Sequence, residues 1–531
     1  MKNILSYMVT RLRFTICIIV LPVSFVSAQG EEIKNSKYLM EVDQIGKSIA
    51  VLKQATQTYP TASALWYHLG IAQIRNDQRD LAAASFDKGI SLDNKEPMNY
   101  VGKGYLSVLE DNVQKAQMDF DKALGITKSK NVAVFNEIGE AYLGDSRLAD
   151  KAITLLTKAR SIDDHDPETL VLLGDAYLAQ NNGGLAVSSY ERAAALDAKI
   201  AKPHYKIGLV YLRSRNFAAA KEAFGKAIQI DPGYTLAYKE LGELYYQLKD
   251  GENAVKAYQT YLSLTDKPDA GKLRFAFFLV MAKDFSKANE LFESLVQKED
   301  VSPTTLRFYA LSLYEEGKYE RSKDVFELYF SKASSEFDAN DYATYAKLLL
   351  KQNEDSLAII QLQKSLALKA DQLENMRTLA ETFYKMKKFP QAIEAYGKLK
   401  ELNAKATSQD VYTLGRAYYF NSQYEHADSA FQQLIAMQPK MTVGYLWEAR
   451  TKANLDPESE DGLAQPYYSK LVEMALAAPE KNKSDLVEAY SYLGYYHLLK
   501  QELIVSKSYW KKVLGLSPDD ARAKEALKAI N

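Results

Sequence analysis

The sequence predicts an all-α protein built of stacked helix pairs, and three observations carry that prediction. A pattern of Gly, Ala, aromatic and Pro residues returns about every 34 residues, each period holds two runs of helical spacing, and short polar turns separate the runs. A repeat of this length means units that cannot bury their apolar faces alone and are covered by their neighbours. The usual product of such a stack is a surface for binding rather than a reaction centre.

The N-terminus comes first. Lys2, Arg11 and Arg13 precede an apolar run from Phe14 to Val26, and Val26-Ser27-Ala28 offers the small residues a signal peptidase reads. Residues 1–28 are therefore expected to be a cleaved export signal, leaving Gln29 as the mature terminus. The run is short for a membrane span of about 20 residues. Cleavage removes three basic groups and the only cysteine, Cys17, taking the net charge from −1 to about −4. A bacterial periplasm is the preferred compartment, with a single N-x-S/T acceptor at Asn482-Lys483-Ser484. Outer-surface attachment, or a retained anchor, is the alternative. Residues 29–62 read as a degenerate first repeat or cap.

From Ser63 the rhythm is explicit. In the copy from Ala201 to Tyr234, Pro203 suits a first helical turn, where its missing N–H is not needed. Ile207, Val210 and Tyr211 follow helical spacing, and Ser214-Arg215-Asn216 makes a turn. A second helix runs from about Phe217 through Ala220, Phe224, Ala227 and Ile230, and Asp231-Pro232-Gly233 stops it. Gly208 and Ala220 are expected to let two backbones approach, with Phe224 and Tyr211 filling the surrounding space. Phe217, Phe285, Tyr319, Phe389 and Tyr424 just after the turn are expected to wedge the helices.

Ile207, Gly208, Tyr211, Ala220, Phe224, Ala227 and Pro232 resemble the tetratricopeptide repeat, whose unit prefers a Leu-Gly pair, then Tyr, Ala, aromatic, Ala and a closing Pro. Thirteen copies follow, beginning at Ser63, Pro97, Val132, Pro167, Ala201, Thr235, Asp269, Pro303, Ala339, Leu373, Ser408, Thr442 and Val487. The copies at Thr235, Pro303 and Thr442 depart most from the pattern. The resemblance implies a right-handed superhelical solenoid over residues 63–531, ending in a C-terminal capping helix, with the first helix of each repeat lining a concave groove. It also implies that places two, five, nine and twelve of that helix face inward. Towards the C-terminus these are Arg377, Glu381, Tyr384, Tyr412, Arg416, Tyr419, Arg450 and Tyr495. Arg and Tyr are the residues binding hot spots favour. The earlier repeats place Asn136, Glu140, Asp175, Lys239 and Glu243 there instead. No copy starts the Lys-then-Asn pattern of the family's carboxylate clamp, so binding of acidic chaperone tails is not expected.

Chemistry is sparse. The five histidines, His68, His165, His204, His426 and His497, form no HExxH or paired-ligand spacing. Asp163, Asp164, His165 and Asp166 look more like a metal site, but they fall between repeats, where Asp serves as a turn and cap residue. Asp456, Glu458, Glu460, Asp461 and Gly462 fail the calcium-loop pattern at its glycine and its closing glutamate. Gly183-Gly184 lack the Lys-Ser/Thr of a phosphate loop, and Ser508-x-x-Lys511 brackets Trp510, a core place. No catalytic residue, metal or cofactor is assigned. The mature charge and the lack of a basic, aromatic-interleaved run argue against nucleic acid. The repeat at Thr442 carries an insertion, Asn454 to Gln465, of the kind that in solenoids often marks a functional face.

The expected function is a non-catalytic exported scaffold or adaptor that holds protein or peptide partners in its groove within the cell envelope. The alternative is an enzyme-associated or membrane-anchored subunit that recruits substrates or assembly partners.

Overall fold

The computed structural model describes residues 29–297, 301–332, 337–402 and 405–530; the expected signal, residues 1–28, lies outside them. The chain divides into two compact units, Met1–Glu299 and Asp300–Asn531. Every regular element among the described residues is helical.

The first unit holds α1 (29–41), α2 (Ile45–Thr58), α3 (Ser63–Arg75), α4 (Arg79–Leu92), α5 (Met98–Leu109), α6 (Val113–Ile126), α7 (Val132–Tyr142), α8 (Ala149–Ile162), α9 (Pro167–Ala179), α10 (Gly183–Leu196), α11 (Lys202–Arg213), α12 (Phe217–Ile230), α13 (Thr235–Gln247), α14 (Gly251–Leu264), α15 (Pro268–Met281) and α16 (Phe285–Val296). The second holds α17 (Pro303–Glu316), α18 (Tyr319–Lys332), α19 (Ala339–Lys351), α20 (Asp355–Leu368), α21 (Leu373–Lys385), α22 (Phe389–Glu401), α23 (Ser408–Phe420), α24 (Tyr424–Met437), α25 (Thr442–Leu455), α26 (Gln465–Ala475), α27 (Lys483–Leu499), α28 (Leu503–Leu516) and α29 (Ala521–Ile530).

Helix starts match the repeat starts read from the sequence within a residue, except the last. There α27 begins at Lys483, four residues before Val487, so the first helix of that repeat carries an extra turn. Local chemistry fixes the boundaries. Asn112, Asn182, Asn216, Asp250 and Asp284 cap the second helices of their repeats by accepting a backbone N–H three residues on. Between the two helices one residue adopts left-handed backbone, with φ of 59° at Arg215 and Lys387 and 84° at Gly317. The chain then reverses, as the Asn216 N–H bonds back to the Tyr211 carbonyl.

Packing inside each repeat differs from the expected backbone-to-backbone approach. The glycine of the first helix lies under the aromatic ring of the second: a Cβ on Gly415 would fall 2.7 Å from Phe431 Cε1, and one on Gly494 would fall 2.8 Å from Trp510 Cε2. Gly208 is set under Phe224 in the same way. The glycine is required because the ring needs that volume. Phe86, Phe120, Phe224 and Phe431 are fully buried as a result, and Ala220 has no exposed surface. The post-turn aromatics close the open end of the pair: Phe389 packs on Tyr384 and Phe420, and Tyr424 on Tyr419.

Successive first helices also touch one another, α3 with α5, α5 with α7, α21 with α23, and α23 with α25. This lines each unit's inner face with first helices. The insertion after α25 folds around Asp456. Its buried carboxylate accepts the N–H groups of Gly462 (2.7 Å) and Leu463 (3.2 Å), and these amides hold it below its ordinary pKa against the cost of burial. The loop then packs onto α27 through Ser459 to Tyr492 (3.2 Å) and Lys500 to the Glu460 carbonyl (2.8 Å).

Candidate partner-binding grooves

The first unit's inner face is occupied by its own N-terminus. Helix α1 reaches repeats far along the chain: Tyr38 Oη donates to Asp231 (3.1 Å), and Lys37 pairs with Glu137 at 3.7 Å. Val42, with no exposed surface, joins a cluster of Ala201, Tyr205, Phe224, Tyr234 and Leu244. Gln44 donates to the Leu264 carbonyl (3.0 Å) and the Lys47 N–H to Asp266 (3.1 Å), so the start of the unit meets the α14–α15 connection.

Charged groups surround this contact. Tyr67 Oη donates to Glu137 (2.5 Å), Arg75 to Glu140 (2.7 Å), and Lys202 to Glu168 (2.8 Å). A cavity of about 330 Å³ remains among Lys37, Glu41, Tyr67, Arg75, Glu137 and Lys202. Burial pushes Glu41 and Glu137 above the usual carboxylate range, Glu137 further by the charge of Glu140. Burial opposes the ionisation of Glu140 too, yet Arg75 and Lys202 hold it below that range. Burial, aided by Lys37, lowers the His68 pKa to about 3, so its imidazole stays neutral.

The early groove places are likewise engaged within the unit. Asn136 is buried, donating to Asp166 (2.8 Å) and accepting from Thr169 (2.8 Å) across the repeat boundary. Asp175 pairs with Lys206 at 2.9 Å, and Glu243 with Arg274. The Asp163–Asp164–His165 group is exposed and brings its ligand atoms within 4.8 Å of one another. Asp163 accepts the His165 N–H, while Asp166 caps α9, as the turn-and-cap reading expects.

The second unit presents a different inner face. Of the eight expected groove residues, Arg416, Tyr419 and Arg450 meet Trp447, and Tyr384 and Tyr412 flank Arg416. The Arg416 guanidinium carbon lies 4.7 Å from the Trp447 ring centre, 5.3 Å from Tyr412, 5.4 Å from Tyr384 and 5.7 Å from Phe420. Arg450 also lies 4.7 Å from Trp447. Tyr419 meets Trp447 edge-on at 5.3 Å and accepts from Asn454 (3.0 Å).

Two of the arginines are not free ligands but ties between repeats. Arg377 pairs with Asp410 at 3.1 Å, and Arg450 donates to both oxygens of Glu488 (2.9 and 2.7 Å). Arg307 pairs with Asp341 at 2.5 Å in the same way. Arg307 and Arg377 both stand at place five of their repeat, and Asp341 and Asp410 at place three of the next. That recurrence was the available signal for these ties. Glu381 is exposed, with its pKa raised by partial burial and by Asp410 and Glu374. Tyr495 stands apart, 45% exposed, in a concavity of about 780 Å³ with Glu488, Ser491, Tyr492, Trp510 and Arg522. Trp447 and Phe420 were missed because neither occupies an inward place of the repeat pattern; Trp447 stands at place six.

Comparisons with known proteins identify the repeat. Models of the tetratricopeptide repeat match residues 205–270 and 411–441. No curated protein matches the chain significantly. Among solved structures, the C-terminal part of a TPR repeat-containing protein from Cytophaga hutchinsonii is 34% identical, the match covering 48% of this chain and 99% of that one with a TM-score of 0.40. MamA is 29% identical over 30% of this chain and 93% of its own, with a TM-score of 0.26. PilF of Pseudomonas aeruginosa is 16% identical over 37% and 88%, with a TM-score of 0.29. Among the described residues, no helix is long and apolar enough to cross a membrane. With the repeat models matching in both units and a TPR relative aligned over almost its whole length, the chain belongs to the tetratricopeptide repeat family, whose members serve as protein-interaction scaffolds.

Proposed function

We propose that this protein is a non-catalytic, exported scaffold of the cell envelope that holds partner proteins on the inner face of its second unit. One observation carries the choice of unit. The corresponding face of the first unit is covered by residues 29–42, whereas the second offers Tyr384, Tyr412, Arg416 and Trp447 from three consecutive repeats, with Tyr495 exposed beyond them. Large rigid rings beside a guanidinium supply contact area at low conformational cost. The first unit then acts as a closed, internally satisfied platform. Export rests on the charged and apolar pattern of residues 1–28 and on the absence of cysteine from residues 29–531.

Crosslinking and affinity purification from native envelope fractions test this reading, with a Tyr412→Ala/Tyr419→Ala variant run in parallel. Specific proteins recovered by the native chain and lost by the variant support it. Recovery of no specific protein defeats the scaffold, and undiminished recovery by the variant moves the binding face elsewhere.

A further inference from the structure

Among the arginines at inward places of the second unit, Arg416 is the exception. Arg307, Arg377 and Arg450 each lie within 3.1 Å of a carboxylate, on Asp341, Asp410 and Glu488 respectively. Arg416 has no carboxylate within ion-pair distance among the described residues. Its one side-chain bond runs from Nη1 to Tyr412 Oη (3.2 Å), and Nε is buried with no partner.

Its surroundings explain why that is costly. Four rings from α21, α23 and α25 flank the guanidinium at 4.7 to 5.7 Å, which limits water over its faces and leaves the N–H edge to be satisfied. A fork of N–H donors held flat by aromatic neighbours matches the two oxygens of a carboxylate, and charge-assisted pairs of this kind are the strong ones. For the other three arginines the chain supplies that carboxylate itself, from the next repeat. At Arg416 it does not: Trp447 of the next repeat stands beside it instead, and Glu448, the residue after that tryptophan, has no exposed surface.

We propose that Arg416 and the rings of Tyr384, Tyr412, Phe420 and Trp447 form a recognition site for a carboxylate of an acidic partner segment. This site differs from the family's Lys/Asn clamp in its residues: one guanidinium framed by four rings in place of Lys and Asn side chains. The proposal rests on the reading of the second unit's inner face as the binding face.

Fluorescence anisotropy with labelled peptides tests it on the full mature chain. Amidated octaglutamate carries side-chain carboxylates only, octaglutamine with a free C-terminus carries a terminal carboxylate only, and amidated octaglutamine carries neither. At least one of the first two is expected to bind more tightly than the third, and which one identifies the source of the carboxylate. Arg416→Gln should weaken that binding by about tenfold or more. Arg416→Lys, which keeps the charge and loses the planar fork, should give an intermediate loss and serves as the readout if the glutamine variant does not fold. Lys440→Gln removes an exposed cation of the same unit and should leave affinity unchanged. Equal affinity for all three peptides, or full binding by both Arg416 variants, overturns the proposal. Partners recovered by crosslinking and retained by Arg416→Gln count against this site alone, while an empty crosslinking result counts against the groove.

Discussion

Replacing Glu448 by glutamine removes a carboxyl that the fold holds protonated. Glu448 stands at place seven of its repeat, where other copies carry Leu69, Leu173, Ile207 or Leu493, and it has no exposed surface. Lys452 Nζ stands 3.9 Å from its Oε1, too far for a hydrogen bond, and Gln432 only partly offsets the cost of burial. The carboxyl instead carries the proton that hydrogen-bonds Asp428, which stays ionised through its 2.8 Å pair with Lys452. Burial first, and then Asp428, push the Glu448 pKa from an ordinary 4.5 to about 9. The folded chain thus binds one proton more than the unfolded chain between those values. Stability must fall as pH rises through that window and level off above it. At pH 7 the proton uptake from an unfolded pKa of 4.5 costs about 3 kcal/mol, at about 1.4 kcal/mol per pH unit. Glutamine recovers part of this, so Glu448→Gln is expected to gain roughly 1–3 kcal/mol at pH 7. Urea unfolding followed by tryptophan fluorescence at pH 5, 7 and 9 reads both effects. The native midpoint should drop from pH 5 to pH 9, and the variant's should drop less. A variant less stable at pH 7, with the same pH slope as the native chain, would mean that Glu448 is ionised and paired with Lys452, and would refute the reasoning.

Other perturbations follow from the packing. Ala220→Leu forces a larger side chain between buried Phe224 and its helix pair and should cost about 1–3 kcal/mol, read as a lower melting temperature; an unchanged melt would refute the helix register. Lys387→Gly relieves left-handed backbone at φ 59° and should raise stability by a few tenths to about 1 kcal/mol in urea titration. Asp410→Ala strips the partner from Arg377 and removes the cap-box acid of α23, so hydrogen exchange in that helix should accelerate while α7 is unaffected. Val42→Asp places a charge in the Ala201–Leu244 cluster and should expose α1 to limited proteolysis before the rest of the first unit.

The sequence by itself determined the helices, their pairing and the repeat boundaries. Those properties are local: an Asn cap, a left-handed turn residue and an apolar stripe act within one 34-residue unit or against the next. The family resemblance implied which places of the first helices, those of Tyr412, Arg416 and Tyr419 among them, share one face. Only the tertiary structure decided which of those places are free. Arg377 and Arg450 are spent on Asp410 and Glu488, and Arg416 is not, because pairing depends on what the neighbouring repeat brings within a few ångströms. Nor could spacing reveal that residues 29–42 cover the first unit's inner face. The contact between Tyr38 and Asp231 joins positions 193 residues apart. It arises from the accumulated curvature of the intervening repeats, a property that no single repeat encodes.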